Sequence, residues 1–254
     1  MAIDGPKGVG KTETARRRAD HAWHLDDEAQ RAVVQADPTF ESAPDGTLLL
    51  DEWQHYSPIW DSVRRRVDEG ALTGRFLLTG SASPAPGSGT HSGAGRITSV
   101  RMRPMALHER GVETPTVSLS EMLRGEAEKV TGESVLGASD YYTAITQSGF
   151  PGIYALPPRG ARRRLETYLR RIVDREMPDQ GYAVRRPETL RRWLTAYAAA
   201  SSQTTSYSNI LDSTTSGDGH QPAKAPPSPI AISSRSCGSW ILCLSLEPGS
   251  EQPL

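Results

Sequence analysis

The feature that most constrains this chain is the stretch at residues 5–12, Gly-Pro-Lys-Gly-Val-Gly-Lys-Thr, in which Gly5 and Gly10 bracket four residues and Lys11 and Thr12 come next. The spacing has a chemical reason. Glycines let successive backbone N–H groups turn inward around an anion, a lysine brings an ammonium to terminal phosphate oxygens, and a threonine hydroxyl is a hard oxygen ligand for Mg²⁺. Gly5, Pro6, Lys7, Gly8, Val9, Gly10, Lys11 and Thr12 are therefore expected to line a phosphate site. The segment Glu13 to Ala22, rich in Ala, Glu and Arg, reads as a helix whose N-terminus faces that anion. A loop of this kind leads from a strand into a helix, so the expected fold is α/β, a parallel sheet flanked by helices.

A phosphate loop that works on a nucleoside triphosphate needs an acid at the end of a buried strand. Thr47-Leu48-Leu49-Leu50-Asp51-Glu52 supplies one, an apolar run that starts after the turn residues Pro44-Asp45-Gly46 and ends in two carboxylates. Asp51 is placed to hold a Mg²⁺ shell together with Thr12, and Glu52 to orient and deprotonate an attacking water. A further strand, Phe76 to Thr79, leads into Gly80-Ser81. In a parallel sheet its carboxyl end lies beside the other two, so the Thr79 or Ser81 hydroxyl reads either as a γ-phosphate contact or as a turn residue. Between the two runs, Ser57-Pro58 opens a helix in which Ile59, Trp60, Val63 and Val67 recur at helical spacing before Gly70. A Gly/Ser/Pro-rich loop over 84–95 precedes an expected strand at Ile97 to Met102; Arg96 at its end reads as a mobile cation for the transferring phosphate or as a solvated loop residue.

Composition fits a soluble nucleotide-binding domain and excludes several alternatives. No apolar run approaches the ~18 residues needed to cross a bilayer, so no membrane contact is expected and a cytoplasmic location is the default. Both cysteines, Cys237 and Cys243, lie near the end of the chain without a metal-ligand spacing. His21, His24 and His55 read as surface or packing residues. The net charge of −1 makes any nucleic-acid argument a local one.

Taken together, the segments GPKGVGKT, LLLDEWQ, FLLTGSASP, GRITSVRMRPMALHERG, SGFPG and RRRLETYLRRIVDRE resemble bacterial and archaeal ATPases of the AAA-like type, which join an N-terminal P-loop domain to a C-terminal domain of uncharacterised function. The resemblance runs from Gly5 to about Gly219. It implies ATP rather than GTP, Mg²⁺ as cofactor, Glu52 as the water-activating base, and a helical, winged-helix-like region after the ATPase core.

From Ser139 the pattern turns helical. Leu165, Tyr168, Leu169, Ile172 and Val173 form one apolar stripe after Pro157-Pro158, and Leu190, Trp193, Leu194 and Tyr197 form another after Pro187. The polar faces carry Arg159, Arg162, Arg163, Arg164, Arg170 and Arg171, then Arg185, Arg186, Arg191 and Arg192, which are either solvated helix faces or a surface for a DNA or protein partner. The expected organisation is a P-loop ATPase domain over 1–135, a helical remnant of a second domain over 136–219, and a disordered Pro/Ser/Ala-rich tail over 220–254. Only four residues precede Gly5, so the strand carrying the loop is expected to be a short, weakened one. At the other end, one encoding of Ser236 to Cys243 read out of frame gives Leu-Trp-Ile-Leu-Asp-Pro-Val, which motivates the expectation of a frame shift near residue 220. The leading functional expectation is Mg-dependent ATP binding and hydrolysis. An ATP-regulated DNA- or protein-binding module and a non-functional truncated product are the alternatives.

Overall fold

The computed structural model describes residues 1–80, 95–126, 130–179, 187–201, 204–206 and 209–210. Ser81, Arg185, Arg186 and the tail from 220 lie outside the described residues. The chain divides into two compact units, with the boundary between Arg103 and Pro104.

The first unit is built on five strands: β1 (Ala2–Asp4), β2 (His21–His24), β3 (Leu48–Asp51), β4 (Phe76–Gly80) and β5 (Ser99–Arg101). Their order across the sheet is β2-β3-β4-β1-β5, and every neighbouring pair is parallel. Among the described residues, α1 (Lys11–Arg16), α2 (Glu28–Ala36) and α3 (Ile59–Asp68) connect β1 to β2, β2 to β3 and β3 to β4. The all-parallel sheet needs cover on both faces, and the period of two within each strand divides the apolar side chains accordingly. Leu48, Leu50, Phe76 and Leu78 pack on one face with Val34 of α2 and Ile59, Trp60 and Val63 of α3. Leu49, Leu77 and Ile3 pack on the other face with Ala15 of α1. Leu48, Leu49 and Leu50 are wholly buried, which is worth roughly 1.5–3 kcal/mol for each side chain.

The strand that carries the loop is as short as expected, three residues, yet it has a neighbour on each side. Ala2 N donates to Thr98 O at 2.8 Å, Met102 N to Asp4 O at 2.8 Å, and Leu78 N to Met1 O at 2.9 Å. The segment Glu13 to Ala22 departs from the single helix that its composition predicts: α1 ends at Arg16, and His21–His24 form the edge strand β2. Pairing with β3 outweighs the helix propensity of Ala and Arg there, and Asp20 fixes the start of the pair by accepting Thr47 N at 2.7 Å. The expected helix before Gly70 is α3, and the expected strand at Ile97 to Met102 is the shorter β5.

Phe40 lies in the core with its ring 4.9 Å from that of Phe76, although its backbone has φ 57°. The turn that holds it there is organised by Asp37, whose carboxylate accepts Ser42 Oγ at 2.6 Å, Ser42 N at 2.7 Å, Thr39 Oγ1 at 3.0 Å and Glu41 N at 3.1 Å. The Ser42 hydroxyl, helped by the backbone donors, holds this carboxyl well below the usual carboxylate range. A depressed folded-state value means a contribution that is complete above the unfolded value of about 4 and is lost as pH falls toward the folded one. Asp37→Ala is therefore expected to lower the thermal midpoint at pH 7, with the gap to wild type closing below about pH 4. A gap of unchanged size at pH 3 in a thermal melt would contradict this.

Among the described residues, the regular elements of the second unit are helices: α4 (Leu119–Arg124), α5 (Ala138–Gln147), α6 (Pro158–Arg171), α7 (Met177–Asp179) and α8 (Pro187–Ala199), with a wider turn over Ile172–Glu176 between α6 and α7. The apolar stripes read from the sequence are the packed ones, since Leu165, Ile172, Val173, Leu190, Trp193 and Leu194 are buried. Arg110 closes the end of α5 by donating to the carbonyls of Ala144 at 2.8 Å and Ser148 at 3.0 Å, carbonyls that the helix itself leaves unpaired. Among the described residues no helix is long and apolar enough to cross a membrane.

Candidate nucleotide site at the carboxyl edge of the sheet

β1 ends at Asp4 and the chain enters the glycine loop at once. Gly5 has φ 150°, and a Cβ there would be driven into the carbonyl oxygen of Met102, so the loop leaves the sheet through a passage only glycine fits. Val9 is fully buried and anchors the loop, while Lys7 and Gly8 are exposed at its tip. Gly10, at φ 103°, is the residue from which α1 starts, with no side-chain cap on its first N–H groups. Such donors are available to an anion. Lys11 is buried, with its Nζ donating to the carbonyls of Gly5 at 2.9 Å and Pro6 at 3.0 Å. The ammonium is thus folded back along the mouth of the loop.

Opposite the loop, parallel register brings three polar side chains into one row. Asp51 of β3 is level with Thr79 of β4 on one side and with His24 of β2 on the other. All three point to the α1 side of the sheet, the face of Leu49 and Leu77. Asp51 Oδ1 accepts from Thr12 Oγ1 of α1 at 2.8 Å and from the Thr79 hydroxyl, while its Oδ2 lies 3.0 Å from His24 Nδ1. Four elements therefore converge on one carboxylate that is itself buried. The next residue, Glu52, turns out of the strand with φ 51°, a left-handed conformation costing a non-glycine residue roughly 1 kcal/mol. Its carboxylate accepts from Gln54 Nε2.

Of the residues singled out in the sequence, Gly5, Pro6, Val9, Gly10, Lys11 and Thr12 form the loop and helix start, and Thr12, Asp51 and Thr79 meet directly. Arg96 does not join them. It precedes β5, whose first residue is level with Ala2, so it lies at the amino edge of the sheet, where it pairs with Asp68 at the end of α3. A cation bonded there is at the opposite end of the strands from the glycine loop, and the structure does not bring it to the phosphate side. Two residues to which the sequence assigned no chemistry, His24 and Gln54, are hydrogen-bonded to the two carboxylates. Their signal was positional: His24 ends a strand level with Asp51, and Gln54 comes within one turn of Asp51-Glu52. Among the described residues, no cluster of three or more His, Cys, Asp or Glu side chains forms a metal cage.

The donor set suits a hard cation shared with phosphate oxygens, namely a hydroxyl and a carboxylate rather than thiolates or imidazoles. Residues 1–110 match the family model described as an AAA domain, and residues 138–223 match a domain of unknown function, DUF8612. The chain carries an AAA domain in its N-terminal part. The match over residues 1–110 is to a domain type found in AAA-like, nucleotide-binding ATPases, and the second matched domain is uncharacterised. Uncharacterized proteins of Mycobacterium bovis and Mycobacterium tuberculosis are each 31% identical to it over 116 residues, 44% of this chain and 26% of each relative. The match thus spans about a quarter of the length of these curated relatives. No solved structure matches the chain significantly.

Proposed function

We propose that the AAA domain binds Mg-ATP at the carboxyl edge of its sheet and hydrolyses it. The observation that carries this reading is the 2.8 Å bond from the Thr12 hydroxyl to Asp51 Oδ1, because it ties the helix after the glycine loop to the acid at the end of β3. By donating its proton to Asp51, Thr12 keeps an oxygen lone pair for a cation. Thr12 and Asp51 would hold Mg²⁺, which supplies positive charge to the β- and γ-phosphate oxygens. The N–H groups over Gly8 to Lys11 would surround the phosphates, with Lys11 exchanging the carbonyls of Gly5 and Pro6 for phosphate oxygens. Glu52 would accept a proton from the water that attacks the γ-phosphorus, as the bond to the β-phosphate oxygen breaks. Thr79, level with Asp51, is the candidate for sensing the γ-phosphate.

The test is thermal unfolding with and without Mg-ATP, beside Lys11→Ala. Binding to the folded state alone stabilises it by about 2.7 kcal/mol at a ligand concentration ~100 times Kd, a rise of several degrees in the midpoint. Wild type is expected to shift and Lys11→Ala to remain where it is. An equal shift in both proteins would exclude the loop as the binding element.

A second reading draws on α6, where Arg159, Arg162, Arg163, Arg164 and Arg171 are exposed. Arg162 is engaged with Glu166 at 3.0 Å, as expected of a solvated helix face. ATP-regulated binding of DNA along this helix would show affinity falling steeply with added salt, and a flat dependence would eliminate it.

A further inference from the structure

The carboxylate of Asp51 has a partner that the proposed chemistry leaves unused. His24 Nδ1 lies 3.0 Å from Asp51 Oδ2, while the two hydroxyl donors, Thr12 and Thr79, both go to Oδ1. The torsion that orients a carboxylate is broad and two-fold. Donors on Oδ1 alone would fix one oxygen and leave the plane of the group free to rock about it. His24 stands on the far side of the carboxylate, on β2, and closes the second oxygen. β2 is itself pinned at this level: Leu25 N donates to Asp51 O at 3.0 Å, and His24 N donates to Gln30 Oε1 of α2 at 2.8 Å. The imidazole is thus a fixed donor on an edge strand.

We infer that His24 is a positioning residue, which sets the orientation of Asp51 through its Nδ1–H and so adjusts how well the site takes Mg²⁺ alongside a nucleotide. The inference rests on the proposed nucleotide reading. It does not depend on the charge of the ring, since the Nδ1–H tautomer of neutral imidazole and imidazolium both donate at this nitrogen. A partner that orients a metal-binding carboxylate typically contributes about 10–100-fold in metal affinity. The phosphate loop, in contrast, is held from within, by the bonds of Lys11 Nζ to the Gly5 and Pro6 carbonyls and by the burial of Val9. Removing the imidazole should therefore weaken the metal-dependent part of nucleotide binding and spare the rest.

The experiment compares wild type, His24→Ala and His24→Asn, because an Asn amide nitrogen sits close to where imidazole Nδ1 sits. The affinity for a non-hydrolysable ATP analogue is measured by calorimetry in Mg²⁺ and again in EDTA. The readout is the ratio of the two affinities. His24→Ala is expected to reduce that ratio by about 10-fold with the EDTA affinity unchanged, and His24→Asn to recover most of it. A ratio equal to wild type in His24→Ala overturns the inference, as does an equal loss in both media, which marks a merely structural role. If wild type fails to bind the analogue in either medium, the nucleotide reading itself falls and this inference falls with it.

Discussion

Replacing Glu52 by Gln is expected to lower ATP turnover by about 10²–10⁴-fold, the range for loss of a positioned general base, while Mg-ATP binding persists. The substitution keeps the size of the side chain and an oxygen that Gln54 Nε2 can still reach, so the turn after β3 should hold. It removes only the ability to take a proton. The neighbouring acid behaves differently, since Asp51 receives Thr12, Thr79 and His24 and its loss would leave those donors facing a buried gap. Single-turnover hydrolysis beside equilibrium binding separates the two roles. Turnover within about threefold of wild type in Glu52→Gln would reject Glu52 as base and direct attention to another acceptor near Thr79.

The second large effect is structural. Gly5→Ala is expected to cost about 3 kcal/mol or more and to abolish nucleotide binding, because the new Cβ meets the Met102 carbonyl, a backbone atom, at a φ of 150°. Met102 is unable to retreat cheaply, as its N–H is the 2.8 Å donor to Asp4 O that joins β5 to β1. Gly8→Ala provides the contrast. It shares a positive φ of 79° but has open space around the added carbon, so only the backbone cost of roughly 1–2 kcal/mol applies. Denaturant melts of the two variants should therefore separate clearly, and equal losses would show that conformation rather than collision governs the loop.

The parts of the fold legible in the sequence were those where local pattern and tertiary role agree. Leu48 to Asp51 and Phe76 to Thr79 read as strands because both faces are buried and the apolar run is broken only at its carboxyl end. Ile59, Trp60 and Val63 read as a helix face because they recur at the helical period and all three are buried. His21 to His24 carried no such pattern: a short edge strand of two histidines, an alanine and a tryptophan is recognisable only through its partner, β3. α4 was also missed, since it buries none of its residues and so lacks a core-facing stripe. In the site, glycine spacing and the Asp51-Glu52 pair exposed the residues whose chemistry is local. The placement of Arg96 depended on which end of β5 it occupies, and the engagement of His24 depended on register between strands distant in sequence. Both are properties of topology, and composition or periodicity does not carry them.

The row of His24, Asp51 and Thr79 also has a consequence for how the sheet assembles. A strand that slips by one residue against its neighbours turns every side chain to the opposite face. For β3, built of three leucines and the acid, the apolar residues alone would discriminate weakly between the two arrangements, since either face would receive leucine. Asp51 breaks that tie. Turned over, its carboxylate would lie on the side of Trp53, Ile59 and Trp60, away from the donors of Thr12, Thr79 and His24. Burying an unpaired charge there costs several kcal/mol. The acid is thus the key that locks an otherwise ambiguous strand into alignment, and the residue needed for chemistry also rules out the misassembled sheet.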